Sequence, residues 1–237
     1  MPLKPRVVVP EILDGLPHDD PDAIASRRDL RRVNAVMGNP RWILRKARAH
    51  AEIARSGITE IGAGDGRLAA RLAAAFPETR VTAIDLAPAP DHPLPPNLEW
   101  RQSDLMDEGA GHPCGGLLVA CLILHHFETP DLDMLGRNFI SRFDAIAIVE
   151  PDRRQLAHQL GRLAWPFINR VTRHDMHVSI DAGFGKYELP ALLGLDAEMW
   201  RIEESCTLTG ARRLLAVRHA MDSLQGSVSA RKQSFVK

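Results

Sequence analysis

Cysteine is scarce in this sequence, which has only Cys114, Cys121 and Cys206 among its 237 residues. The three are widely spaced, odd in number and never form a CxxC pair, which argues against a disulfide framework and against a thiolate zinc site. Aromatic residues make up only 5% of the chain. A platform of aromatic rings for stacking nucleic-acid bases is therefore not supported.

A charge excess and long apolar runs are lacking as well. The formal net charge is zero, so whole-chain electrostatics predict no special attraction to nucleic acid or to anionic membranes. No apolar stretch approaches the roughly 20 residues that a membrane-spanning helix needs. Residues 1–17 lack the long apolar segment of a signal peptide. We therefore expect a cytoplasmic protein without a transmembrane segment.

The chain length fits one large α/β domain with terminal extensions. Residues 1–19 have the character of an irregular arm, after which Asp20 caps a helix that ends at Gly38. Asn39 should cap a second helix, which ends at Gly57. The predicted organisation is an N-terminal arm and helical lid at 1–57, a main domain at 58–220 and a flexible tail at 221–237.

Short apolar segments alternate with helical ones from residue 58 onward. Strands are predicted at residues 58–61, 81–85, 98–102, 117–123 and 145–149, with a closing pair at 200–207 and 212–218. Helices are predicted at residues 66–76, 152–165 and 187–193, and a further helix is predicted to begin at residue 129. The five prolines of residues 87–97 predict a loop where a helix would otherwise join two strands. This alternation indicates a doubly wound, mostly parallel, Rossmann-like α/β sheet.

The turn after the first strand carries the most informative motif. Gly62, Gly64 and Gly66 permit tight backbone conformations and leave room for a ligand, and the following helix N-terminus favours an anionic group. A dinucleotide fingerprint needs glycine or alanine at its sixth position, where this chain has Arg67. Glu60 would repel a pyrophosphate but suits the ammonium group of an amino-acid-like ligand.

Two further acids follow successive strands. Asp85 closes the second strand and can accept hydrogen bonds from two ribose hydroxyls. Asp104 follows the third strand, where a carboxylate can accept a hydrogen bond from an adenine amino group while Leu105 packs on the ring. Ligands of open α/β sheets bind at the carboxyl ends of the strands, so the glycine turn and both acids should form one site.

These motifs resemble those of class I S-adenosylmethionine-dependent methyltransferases. EIGAGDG is similar to their first motif, VTAID to the acid of their second strand and QSDL to that of their third, while GLLVACLILHHF and AIAIVEP resemble their fourth and fifth strands. The resemblance implies a seven-stranded sheet with an antiparallel last strand and S-adenosylmethionine as cofactor. It also adds Leu86 and Cys121 to the cofactor-binding residues.

A narrower resemblance concerns the expected lid over the acceptor, which the N-terminal helices and residues 154–190 would form. SRRDLRRVNAVMGNPRW and NRVTRHDMHVSIDAGF look like segments of bacterial methyltransferases found beside type III polyketide synthases. This implies a small phenolic or quinone-like acceptor and O-methylation, with C-methylation as an alternative. Two features depart from the broader family: the proline-rich loop replaces a helix, and Gly116 stands where an acid often begins the fourth strand.

Three histidines are candidates for the chemistry. His174 lies in the segment that usually covers the acceptor in this fold and is the first choice for a general base, with His126 second. Adjacent residues at a strand end point in opposite directions, so we expect His125 to be structural. No third ligand spacing accompanies the two histidines, and no metal is predicted.

Arginines are concentrated in the lid, where residues 27–48 and 153–173 contain many basic residues and a single acid, Asp29. We expect solvated helix faces there, with no nucleic-acid partner. A basic rim for an anionic or membrane-held acceptor is the other interpretation. The alternatives to a small-molecule enzyme are a nucleic-acid methyltransferase and a non-catalytic cofactor-binding regulator.

Overall fold

A computed structural model describes residues 5–17, 19–107 and 111–219. A seven-stranded sheet forms its centre, in the order β3-β2-β1-β4-β5-β7-β6. The strands are β1 (Ile58–Ile61), β2 (Val81–Asp85), β3 (Leu98–Gln102), β4 (Leu117–Cys121), β5 (Ala145–Pro151), β6 (Trp200–Cys206) and β7 (Ala211–Arg218). The predicted tail at 221–237 lies outside the described residues.

The sheet is parallel except at β7. The first five strands pair in parallel, whereas β7 runs antiparallel to both β5 and β6. The predicted doubly wound sheet with an antiparallel last strand is therefore confirmed. The predicted loop at 87–97 is also confirmed, since these described residues contain no helix between β2 and β3.

Helices cover both faces of the sheet. They are α1 (Pro21–Met37), α2 (Asn39–Ala49), α3 (Ala51–Arg55), α4 (Arg67–Ala75), α5 (Thr129–Asn138), α6 (Gln155–Ala164), α7 (Arg170–Ala182) and α8 (Glu188–Leu192). On one face, α2, α3 and α4 pack on Val81, Val119 and Ala147. On the other, α5 and α8 pack on Ile84 and Leu118. Burial on both faces explains why the central strands are almost wholly apolar.

The two N-terminal helices form as predicted, with one correction. The Asp20 side chain accepts hydrogen bonds from the Asp22 and Ala23 N–H groups, and Gly38 ends α1 at a φ of +69°. Asn39 was predicted to cap the second helix, but Gly38 occupies the cap position and Asn39 is already helical. Its buried side chain instead donates a hydrogen bond of 2.9 Å to Asn34 Oδ1. The second predicted helix is also interrupted, at His50.

The sequence did not predict α7. The Asn169 side chain caps this helix by accepting a hydrogen bond from the Thr172 N–H. Two contacts attach α7 to α1: Thr172 Oγ1 donates to Ser26 Oγ at 2.9 Å, and the Asn169 N–H donates to Asp29 Oδ2 at 2.9 Å. Asp29, the single acid of the basic segment, therefore joins α1 to α7.

The N-terminal arm lies across the segment that follows β4. Arg6 Nη2 donates to the His125 and Phe127 carbonyls at 2.9 and 2.6 Å, and its Nε donates to the Ala182 carbonyl. The Ile12 and Leu13 N–H groups donate to Asp175 of α7. The arm is thus bonded both to the segment after β4 and to α7. Among the described residues, no helix is long and apolar enough to cross a membrane.

Candidate active site

The turn between β1 and α4 has the conformation that its glycines predict. Gly62, Gly64 and Gly66 have φ values of +64°, +56° and +70°, which side chains other than glycine rarely adopt. A Cβ at Gly62 would lie 2.4 Å from Ile123 Cγ1, so this glycine also permits close packing against the segment after β4. Apart from Gly64 and its two chain neighbours, no described residue has an atom within 4 Å of a Cβ placed at Gly64. A ligand can therefore approach the turn at Gly64.

Asp85 binds the glycine turn directly. Its Oδ2 accepts a hydrogen bond of 2.7 Å from the Gly64 N–H, and Oδ1 accepts one of 2.9 Å from the Ala87 N–H. Each carboxylate oxygen has a second lone pair, so both can accept a further bond from a ligand hydroxyl. Leu86 follows and is 69% exposed, so it is available for contact.

The end of β3 lies beside that of β2, where the Ser103 N–H donates to the Asp85 carbonyl at 2.9 Å. Asp104 is exposed, and its Oδ1 accepts a hydrogen bond of 2.9 Å from the Met106 N–H. Leu105 is partly buried against the core beneath α5. The structure therefore brings the glycine turn and both predicted acids to one edge of the sheet.

Glu60 is buried beneath the turn and incompletely bonded. The Ala69 N–H in the first turn of α4 donates to its carboxylate, while Oε2 has no hydrogen-bond partner among the described residues. Burial raises the pKa of Glu60 well above its ordinary value; the Ala69 hydrogen bond opposes this shift, and Asp65 and Asp85 add to it. A cationic group at Oε2 would supply the missing contact and would offset the repulsion from Asp65 and Asp85.

Cys121 ends β4, close enough to Glu60 for their charges to interact. Burial raises the pKa of the Cys121 thiol, and the carboxylates of Glu60 and Glu150 raise it further. The side chain is therefore a neutral thiol that can line a pocket but is a poor nucleophile. At the other end of β4, a Cβ on Gly116 would lie 2.2 Å from the Gly57 carbonyl oxygen. The acid often found in the family does not fit there.

Glu150 organises the segment after β4 and received no role from the sequence. It is fully buried, and Oε1 accepts hydrogen bonds from the Ile123 and Leu124 N–H groups at 3.0 and 2.8 Å. Its Oε2 lies 2.7 Å from His125 Nδ1. Glu150 thus caps the 3-10 turn Leu124–His126, which begins after Leu122 at the unusual φ of +60°. Only the pairing of β4 with β5 brings these residues together.

The expectation that His125 and His126 point in opposite directions was wrong. They lie in the 3-10 turn and not on a strand, and their ring centroids are 4.3 Å apart. His125 is buried between Glu11 and Glu150, as a structural role requires. Burial alone would lower the pKa of His125, but hydrogen bonds to the two carboxylates raise it to about 9. His126 is partly exposed, with Nδ1 3.5 Å from Asp14 Oδ2.

His174 lies on α7 at the arm. Its Nδ1 is 3.0 Å from Asp175 Oδ1, and the His174 side chain is 50% exposed. Asp175 is buried and also accepts the Ile12 and Leu13 N–H groups, so it is fixed in place. A histidine with one nitrogen held by a carboxylate and the other accessible has the arrangement of a general base.

The arginines of α1 include both solvated and bonded side chains. Arg28 and Arg32 are 57% and 66% exposed, and each approaches Asp29 within 4 Å. Arg31 Nη1 instead lies 3.4 Å from Asp65 Oδ2 in the glycine turn. Helix α1 therefore adjoins the glycine turn.

Comparisons with known proteins agree with this geometry. No family model matches the chain. A segment of 50 residues is 42% identical to methyltransferase str2 and, in a second match, 40% identical to methyltransferase str3, both of Strobilurus tenacellus. The matched segments cover 21% of this chain and 18% of each relative.

Solved structures match over most of the chain. The plantazolicin methyltransferase BpumL, in complex with SAH, superposes with a TM-score of 0.63 at 12% identity, covering 85% of this chain and 92% of BpumL. The magnesium protoporphyrin IX methyltransferase ChlM from Synechocystis PCC 6803 superposes with a TM-score of 0.53 at 15% identity, covering 85% of this chain and 91% of ChlM. Human N-acetylserotonin methyltransferase superposes with a TM-score of 0.52 at 15% identity, covering 87% of this chain and 61% of the human enzyme. The strand order, the glycine turn and these superpositions lead to the same conclusion. The chain has the class I S-adenosylmethionine-dependent methyltransferase fold.

Proposed function

We propose that this chain is an S-adenosylmethionine-dependent methyltransferase acting on the hydroxyl oxygen of a small apolar, phenolic or polyketide-like acceptor. The observation that carries the proposal is the arrangement of the Gly64 turn, Asp85 and the incompletely bonded Glu60 at one edge of the sheet. Ligands of open α/β folds bind at this edge.

The residues present fit this cofactor. Asp85 would accept the two ribose hydroxyls, and Asp104 the adenine amino group, with Leu86 and Leu105 flanking the ring. The open space at Gly64 would admit the ligand to the turn. Glu60 Oε2, which lacks a partner among the described residues, would receive the ammonium group, and the neutral thiol of Cys121 would line the same region. When bound, the cofactor supplies an electrophilic methyl group on a sulfonium.

The lid would hold the acceptor. The arm and α7 lie beside the segment after β4, and α1 and α6 pack against α7. Closing these elements would exclude water and align the acceptor oxygen. Alignment is the main source of acceleration in such a displacement. His174, oriented by Asp175, would remove the hydroxyl proton at its free nitrogen. His126 is the second candidate for this proton transfer.

The comparisons are compatible with an oxygen acceptor. Human N-acetylserotonin methyltransferase and a putative O-methyltransferase from Nostoc punctiforme PCC 73102 share the fold, the latter with a TM-score of 0.54 at 11% identity. A nucleic-acid acceptor has less support, because several lid cations have carboxylate partners. Arg31 lies by Asp65, and Lys46 by Glu203 at 2.8 Å.

Incubation with methyl-labelled S-adenosylmethionine and a panel of phenols and hydroxyquinones tests the proposal. We expect label on an acceptor oxygen, and loss of transfer in Asp85→Ala. Label appearing only on added DNA or RNA would assign the chain to nucleic-acid methylation. Tight cofactor binding without transfer to any acceptor would favour a regulatory protein.

A further inference from the structure

Two histidines and an acid from distant parts of the chain meet beneath the arm. Glu11 belongs to the arm, and His125 and His126 to the 3-10 turn after β4. One potential ligand atom from each of the three lies within 4.8 Å of the other two. His125 Nε2 is 3.5 Å from Glu11 Oε1. Ligand atoms around a tetrahedral zinc ion are about 3.4 Å apart, given bonds of roughly 2.0–2.1 Å, so small side-chain movements would complete such a site.

The surroundings orient His125 for this purpose. Glu150 is fully buried, and its Oε2 lies 2.7 Å from His125 Nδ1. Nδ1 can therefore donate to Glu150, and an incoming metal ion would displace the Nε2 proton that faces Glu11 and bind the lone pair left there. A carboxylate behind a histidine is the usual second layer of a zinc site, where it fixes the ring and increases its basicity. Backbone N–H groups of Ile123 and Leu124 hold Glu150 in turn.

The charges around the cluster also favour a cation. Glu11, Glu150 and Asp14 supply three carboxylates, and Asp14 Oδ2 lies 3.5 Å from His126 Nδ1. Arg6 is a cation in direct contact with this segment, and it donates to backbone carbonyls of His125 and Phe127. Once a metal ion has displaced the His125 proton, three carboxylates against one guanidinium leave an excess of negative charge. A divalent ion would balance it.

We propose that Glu11, His125 and His126 bind a divalent transition-metal ion, for which two imidazoles and one carboxylate favour Zn²⁺. Asp14 or a water would take the fourth position. The ion would join the N-terminal arm to the carboxyl edge of the sheet and hold the lid in place. With His126 coordinated, His174 would remain as the available base.

Zinc titration of the purified, chelator-treated chain tests this proposal without cofactor or acceptor. Wild-type protein should bind one Zn²⁺ per chain, measured by calorimetry and by elemental analysis after gel filtration, and its melting temperature should rise with zinc. Glu150→Gln should weaken zinc binding about 10- to 100-fold, as expected for an outer carboxylate. Glu11→Gln and His126→Gln should weaken it more.

His158→Ala is the matched control, because His158 forms a second histidine pair with His177, 2.8 Å away on the lid helices. It should leave zinc stoichiometry unchanged. Circular dichroism checks that each variant is folded. If His126→Gln does not fold, Glu11→Gln tests the site in its place, because it changes only an arm side chain. Absence of a zinc site in wild type, wild-type affinity in Glu11→Gln, or zinc loss in His158→Ala alone would overturn the proposal. Since no methyl transfer is measured, this outcome is independent of the proposed enzymatic activity.

Discussion

Asp85 accepts a hydrogen bond of 2.7 Å from the Gly64 N–H, so two elements proposed to bind one cofactor are bonded to each other. The acid at the end of β2 thus positions the glycine turn as well as offering lone pairs to a ligand. Its substitution should therefore affect both ligand affinity and folding.

Asp85→Ala should weaken S-adenosylhomocysteine binding by about 1.5–3 kcal/mol, because hydrogen bonds to a charged group are lost. It should also lower the free energy of unfolding by about 0.5–1.5 kcal/mol, because the exposed Gly64 and Ala87 N–H groups exchange their carboxylate acceptor for water. Calorimetry and denaturant unfolding measure the two effects. Asp91→Ala, at an exposed acid in the next loop, is the control and should change neither. Unchanged affinity in Asp85→Ala would limit Asp85 to a structural role.

Glu60 should make the stability of the ligand-free protein depend on pH. Its pKa is raised in the folded state, mainly by burial, so the folded protein retains this proton more strongly than the unfolded chain does. The stabilisation is fully present below the unfolded pKa and is lost as pH rises through the folded pKa, with a slope of at most about 1.4 kcal/mol per pH unit.

Glu60→Gln should remove that slope, because the amide does not ionise. Denaturant unfolding of both proteins over a series of pH values measures the difference. Glu60→Gln should also weaken S-adenosylmethionine binding, since the ammonium group would lose a charged partner. A wild-type protein whose stability changes with pH as that of Glu60→Gln does would contradict the assignment.

His174→Ala should lower kcat by about 10²- to 10⁴-fold, the usual contribution of a positioned general base. Cofactor affinity should not change, because His174 contacts the arm-bound Asp175 and not the glycine turn. Single-turnover kinetics with the best phenolic acceptor measure the effect. His177→Ala, one turn further along α7, should retain activity. Full activity in His174→Ala combined with loss in His126→Ala would move the base to the segment after β4.

Replacing Arg28 and Arg32 together with glutamine should leave turnover and acceptor KM unchanged. Both side chains are more than half exposed, and their contacts with Asp29 are long, at 3.9 and 3.7 Å. Exposed ion pairs of this kind contribute about 0–1 kcal/mol each. Steady-state kinetics at several salt concentrations check this prediction. A large rise in acceptor KM at every salt concentration would place the two arginines in the acceptor pocket.

The central strands were predictable because burial on both faces leaves a clear signal. Strands at 58–61, 81–85 and 98–102 have the predicted bounds, and the glycine turn with Asp85 follows from spacing alone. Helix α7 was not predictable in the same way. Its sequence, RVTRHDMHVSIDA, mixes charged and β-branched residues, and it is stabilised by packing on α1.

Sequence patterns carry less information where the site depends on contacts between distant residues. Glu150 reaches the 3-10 turn only through the pairing of β4 with β5. Glu11 and His125 are more than a hundred residues apart in the sequence, and they meet because the arm folds back onto the segment after β4. Neither contact has a local motif, so the sequence indicated two histidines without a third partner.

Calorimetric titration of the ligand-free protein with S-adenosylhomocysteine and, separately, with NAD tests which cofactor the glycine turn binds. We expect one S-adenosylhomocysteine site per chain and no comparable affinity for NAD, because Glu60 lies buried beneath the turn and Arg67 replaces the last glycine of the dinucleotide fingerprint. Tight binding of NAD with no detectable binding of S-adenosylhomocysteine would contradict it.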